Sequence, residues 1–388
     1  MIAREEREGP IRTKPICIVC DVEITPANDS REHIIQNAIG GVRKASGVLC
    51  KACNSSAGLT WDAEAARQLQ FLTLHLGVSR DRDGGRAGEF RTISGRTVRK
   101  HPDGRLSFPN EKPVISTSGN GVNIQVRTTT RAQAEKTLKG LKRKYPKLDV
   151  AAALESIDES ETYLSEPIAG QLNFGGELSG RSVVKSALTL AVAEGVEART
   201  CNLALAYLRD PAGEPCFGYY FRRDLVLDRP ADRIFHCVAV MGDAVSRKLI
   251  AYVEFFGIYR MVVGLSDVYD GVSFQSCYAI DPTGGTELTL KVDLEFSEEE
   301  LRRTLANEDQ SLTQQLEAAN FFMAFAQRRS FEREQRRVAG RAYTEAISAL
   351  GLVPGQDMTP DIALRLSEEV TKRLLPFLQH RVGTQRRN

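Results

Sequence analysis

Two matched thiol pairs, Cys17-Ile18-Val19-Cys20 and Cys50-Lys51-Ala52-Cys53, carry the chemistry most specific to this chain. A C-x-x-C turn offers two thiolates to one metal while its backbone amides stabilise the sulfur charge, and zinc takes four such ligands in a tetrahedron. The 29 residues between the pairs exceed the roughly 15 to 20 of a zinc ribbon, so the metal would close a loop with structure of its own. That loop holds R-E-H-I-I-Q-N-A-I-G-G, with Glu32 beside His33; Asn54 follows the last thiol and Asp62 stands eight residues further on. A histidine facing a cleft takes a proton from water near neutral pH, and a neighbouring carboxylate holds a cation or orients a ligand. On a strand, His33 and Glu32 face opposite ways. The Asn54 amide is suited to bonding the His33 backbone or fixing the strand against a helix, and in one continuous helix Asn54 and Asp62 share a face. Free reduced thiols or a redox dithiol are the competing readings of the cysteines, and the matched set favours metal.

The surrounding elements must hold these groups in register. From Asp62 the run A-E-A-A-R-Q-L-Q-F-L-T-L-H-L puts Ala66, Leu69, Leu72 or Thr73, and Leu76 on one helix face ending near Gly77. Residues 79–130 alternate in short runs broken by D-G, N-G and Pro, the pattern of strands and hairpins. A basic helix is expected over 131–144, a polar connector near 155–170, and a helix over R-S-V-V-K-S-A-L-T-L-A-V-A-E closing at Gly195. Strand-like runs recur at 234–241, 249–256 and 258–265, and helix dominates from Ser297 onward.

E-H-I-I-Q-N-A-I-G-G followed by L-C-K-A-C-N-S-S-A-G-L-T-W-D resembles the His-Asn-His endonucleases of the ββα-metal class, in the branch with a four-cysteine zinc site. The resemblance covers roughly residues 15 to 75. It implies a general-base role for His33, a positioning role for Asn54, and for Glu32 the place of the acidic residue that binds a catalytic ion. Asp62 is the nearest candidate for the third motif position, which is normally His or Asn. Gln36 replaces the family's usual proline. The chemistry implied is phosphodiester hydrolysis with a magnesium or manganese ion between Glu32 and Asp62 and with His33 deprotonating the attacking water. A closed four-thiolate zinc site has no open position and is structural.

A chain of 388 residues accommodates two or three domains, and 42% hydrophobic with 26% charged residues is an ordinary globular composition. The net charge of +2 leaves any nucleic-acid affinity to local basic faces. No apolar run reaches the roughly 18 to 20 residues that span a bilayer, and the charged start is no signal peptide, so a cytoplasmic protein without a membrane partner is expected. Cys201, Cys216, Cys237 and Cys277 lack metal-type spacing and read as buried thiols. Basic residues cluster at Arg96, Arg99 and Lys100 and again at Lys139, Lys142, Arg143 and Lys144, where DNA phosphates are the expected contacts. Six arginines from Arg328 to Arg341 read as one solvated helix face.

The expected class is therefore α+β: a flexible lead-in over 1–14, a zinc-stapled nuclease domain over 15–78 of ββα-metal type, a hairpin region with a basic helix over 79–150, a mixed α/β domain over 165–296, and a helical region over 297–388. The expected function is a DNA endonuclease, in bacterial defence or mobile elements, whose C-terminal region senses a signal such as a nucleotide messenger. Expected partners are DNA, that small nucleotide effector and a second copy of the chain. A catalytically inactive, zinc-dependent DNA-binding or regulatory protein is the competing reading, and it has no need of the Glu32-His33-Asn54 set.

Overall fold

A computed structural model describes residues 14–78, 87–109, 111–118, 121–158, 163–170, 172–308 and 311–385. Most of the expected lead-in lies outside them. The chain forms two compact units, Met1–Gly84 with Leu172–Gln327, and Gly85–Gln171 with Arg328–Asn388. The nuclease-like segment and the region after residue 172, expected as separate domains, thus share one unit.

In the first unit, β1 (Glu32–His33) pairs antiparallel with β2 (Lys44–Ala45), and α1 (Lys51–Leu59) follows directly. This is the ββα order that the resemblance implies. Two glycines shape the β1–β2 connection. Gly40 sits at φ +99, open to glycine without a Cβ penalty, and a Cβ on Gly41 would lie 1.7 Å from the Ile35 carbonyl oxygen. The helix expected from Asp62 is two pieces, α2 (Trp61–Gln68) and α3 (Gln70–Leu76), closed by left-handed Gly77. Thr60, at φ −114 and ψ −77, also separates α1 from α2. Asn54 and Asp62 therefore stand on different helices, and the continuous-helix expectation is corrected.

The second unit begins with an antiparallel sheet of β3 (Gly88–Thr92), β4 (Thr97–Lys100) and β5 (Leu106–Ser107), and a hairpin of β6 (Val114–Ser118) and β7 (Gly121–Gln125). The basic helix is α4 (Arg131–Lys142), capped by the Thr130 hydroxyl, which accepts from Gln133 N. α5 (Val150–Glu155) and β8 (Ile168–Ala169) complete this stretch, with β8 on the free edge of β3.

Chain order then returns to the first unit with α6 (Glu177–Ala193), whose residues from Ser179 to Ala191 are all buried. It starts a turn before the expected Ser-Gly entry, at Gly176, where the Gln68 side-chain amide bonds both N and O of Gly175. α7 (Asn202–Arg209), β9 (Phe217–Tyr219) and β10 (Val226–Leu227) lead to the long strands β11 (His236–Asp243), β12 (Lys248–Phe255), β13 (Tyr259–Ser266) and β14 (Phe274–Asp281), then β15 (Thr286–Leu288) and β16 (Lys291–Val292). Six of them form one antiparallel sheet in the order β15-β14-β11-β12-β13-β9.

Both sheet faces are covered, so the long strands lack a clean polar alternation. Cys237 and Ala239 of β11 enter a cluster with Tyr220, Leu225 and Leu294. Val238 and Val240, opposite by strand alternation, are equally buried. α6 packs against β11, β12 and β13 as well as β1, β2 and α2, so one helix joins the ββα segment to the sheet. After α8 (Glu298–Leu305) come the long α9 (Leu312–Ala349) and α10 (Pro360–Gln385). Among the described residues no helix is long and apolar enough to cross a membrane.

Candidate functional site

The four thiols expected to bind one ion converge, with all of the Cys17, Cys20, Cys50 and Cys53 sulfurs within 4.8 Å of one another. Local backbone bonds shape both turns: Asp21 N donates to Cys17 O and Cys17 N to Val22 O, while Cys53 N reaches the sulfur of Cys50 at the N-cap of α1. Cys20 and Cys50 sulfurs stand 3.8 Å apart, and a tetrahedron of zinc–sulfur bonds about 2.3 Å long has edges close to 3.8 Å. The donor set therefore fits zinc. Burial pushes the Cys17 and Cys53 thiols above their ordinary values, a penalty that a divalent cation removes by holding thiolates.

His33 and Glu32 occupy the two positions of β1, opposite Lys44 and Ala45. The strand sends them to opposite sides, leaving His33 half-buried and Glu32 only 4% exposed. Asn54 is half-buried on α1, one turn past Cys50. The loop between β1 and β2 is anchored to the sheet, because His236 donates from Nε2 to Ile39 O at 2.8 Å and the Tyr278 hydroxyl accepts from Arg43 N.

Glu32 and Asp62 are brought together, but around a protein cation. Lys185 of α6 donates from Nζ to Glu32 Oε1 at 2.5 Å and to Asp62 Oδ2 at 2.6 Å. Ser182, one turn earlier, donates to Asp62 Oδ1 at 2.5 Å and accepts from the Gln36 side-chain amide. Burial lifts the Glu32 carboxyl above the usual carboxylate range in spite of the ammonium. Lys185, although fully buried, is held above the ordinary lysine value by the two carboxylates.

Sequence reasoning missed Lys185 and Ser182. A signal was present, since Lys185 is the one charged side chain in the run S-V-V-K-S-A-L-T-L-A-V-A, and a lysine on an all-buried helix needs a partner. Gln36, noted only as a departure from the family's proline, is 4% exposed and bonded to this network.

Among the expected nucleic-acid contacts, Lys142, Arg143 and Lys144 are exposed on and just after α4, and Lys139 pairs with Glu135 at 2.6 Å. Arg96 lies over the Phe108 ring at 3.5 Å, and Arg99 pairs with Glu89. Lys100 differs from the rest: it is 5% exposed, and burial beside Arg333 pushes its pKa down to about 8. A buried ammonium is closed to phosphate, so Lys100 leaves the expected set. The other four cysteines are buried or half-buried, with Cys237 and Cys277 sulfurs 3.5 Å apart on neighbouring strands.

Comparison with known families matches residues 17–70 to the HNH_5 family, described as an HNH endonuclease. No curated protein and no solved structure matches the chain.

Proposed function

We propose that this protein is an endonuclease that hydrolyses DNA phosphodiester bonds at the zinc-stapled segment. The observation that carries the reading is the HNH endonuclease match over residues 17–70, a span that contains the converged thiols, His33 and Asn54. His33 accepts the proton of the attacking water, the general-base role most often filled by a histidine. Asn54, on the helix that Cys50 caps, fixes the histidine strand. The thiolate site supplies architecture alone, since four sulfurs leave zinc no place for water. The exposed cations Arg96, Lys139, Lys142, Arg143 and Lys144 attract the phosphate backbone. The Glu32–Asp62 pair does not fit the catalytic divalent ion implied by the resemblance, because both carboxylates already close on Lys185.

The same ion pair favours one alternative, a zinc-stapled DNA-binding protein without hydrolytic activity. Both readings meet one experiment: supercoiled plasmid incubated with zinc-loaded protein in magnesium or manganese, with and without chelator, beside His33→Ala. The endonuclease reading expects nicking that falls by about 100-fold or more in the folded, zinc-retaining variant. Equal, background-level cleavage by both proteins, with DNA still retained in a mobility shift, establishes the alternative.

A further inference from the structure

We propose that Lys185 is the resident cation of the Glu32–Asp62 pair, so that this pair is closed to exchangeable divalent metal. Two observations and one electrostatic argument carry the inference. Three of the pair's four carboxylate oxygens are engaged, Glu32 Oε1 and Asp62 Oδ2 by the lysine and Asp62 Oδ1 by Ser182. The lysine cannot retreat to solvent, because it is 0% exposed in the middle of a stretch of α6 that is buried from Ser179 to Ala191. A divalent ion held by the same oxygens, at about 2.1 to 2.5 Å, would stand beside the ammonium in a site with little water to screen the repulsion.

The arrangement also has a structural purpose. Ammonium and carboxylates tie β1, α2 and α6 at one point, and His33 is the next residue along from Glu32. A buried Glu32 beside the half-buried Asp62 would be strongly destabilising without a counter-charge, and lysine supplies that charge without depending on the metal supply. The proposal concerns the site of the endonuclease reading but does not depend on hydrolysis.

The test is ion binding by the full zinc-loaded chain. Manganese is titrated into wild type and Asp62→Asn, with free ion followed by electron paramagnetic resonance. The expected result is the same manganese affinity in both, within about twofold. A site in wild type that weakens tenfold or more in Asp62→Asn overturns the proposal. Lys185→Met is the second arm, expected to melt about 10 °C or more below wild type and to recover part of that drop in manganese, which then fills the vacated place. A Lys185→Met protein with the wild-type midpoint and no response to manganese also overturns it. If Lys185→Met does not fold, the Asp62→Asn comparison decides alone. Failure of plasmid cleavage would sink the endonuclease reading and leave these binding results standing.

Discussion

At the scale of single residues, His236 shows how a buried group ties stability to pH. It is fully enclosed, donating from Nε2 to Ile39 O and accepting at Nδ1 from Phe256 N, so it is the neutral tautomer. Burial pushes its pKa down to about 4, against the pull of the Ile39 carbonyl and Asp281. An unfolded histidine titrates near 6.5. Between about pH 6.5 and 4 the unfolded chain therefore binds a proton that the folded chain refuses, and stability falls as the pH falls. The contribution is fully present at pH 7 and amounts to about 3 kcal/mol across the window. Urea midpoints at pH 7 and pH 5 measure it, with a smaller difference expected in His236→Gln. Neither partner of His236 is local to it in the sequence, Ile39 and Phe256 lying 197 and 20 positions away. Lys185 was legible in principle, but its partners lie more than 120 positions away, and no local periodicity names them.

Elements decide where those residues arrive. The ββα segment was legible because its boundaries are chemical: Cys50 caps α1, Gly40 needs a positive φ, and Gly77 ends α3. The breaks at Thr60 and Leu69 were harder to read: Gly58 stands two residues before the first, and neither glycine nor proline marks the second. The piece between the two breaks, α2, packs on α6, and tertiary packing of this kind overrides a local helical pattern. Gly41 tests the β1–β2 connection directly. A Cβ 1.7 Å from Ile35 O forces that loop to rebuild, so Gly41→Ala is expected to lose about 3 kcal/mol or more. The cysteine turns lie outside the loop, and zinc content should hold while thermal stability and plasmid cleavage fall together. Zinc loss at the same temperature as cleavage loss would show that loop and staple are one cooperative piece.

For the whole molecule, the linear order of segments is a poor guide to compact units. Residues 172–327 join the thiol-bearing segment, while 85–171 join 328–388. Such grouping depends on which faces meet, and α6, buried on all sides, reveals it only once the ββα segment and the sheet are seen on opposite flanks. The basic helix and the helical character of the C-terminal region were visible from charge and periodicity, yet nothing local assigns α8 to the sheet and most of α9 with α10 to the other unit. Zinc removal tests the consequence. All four thiols are in the first unit, and structural zinc of this kind contributes on the order of 10 kcal/mol in small modules. Chelation at neutral pH should therefore remove hydrogen-exchange protection first from residues 14–78, whose turns the metal closes, and then weaken it at β1's contacts with α6. Peptides from α4 and α10, which carry no zinc ligand, should keep their exchange rates. Uniform loss across both units would mean that the staple governs the entire chain, and unchanged exchange in residues 14–78 would remove the structural role from the metal.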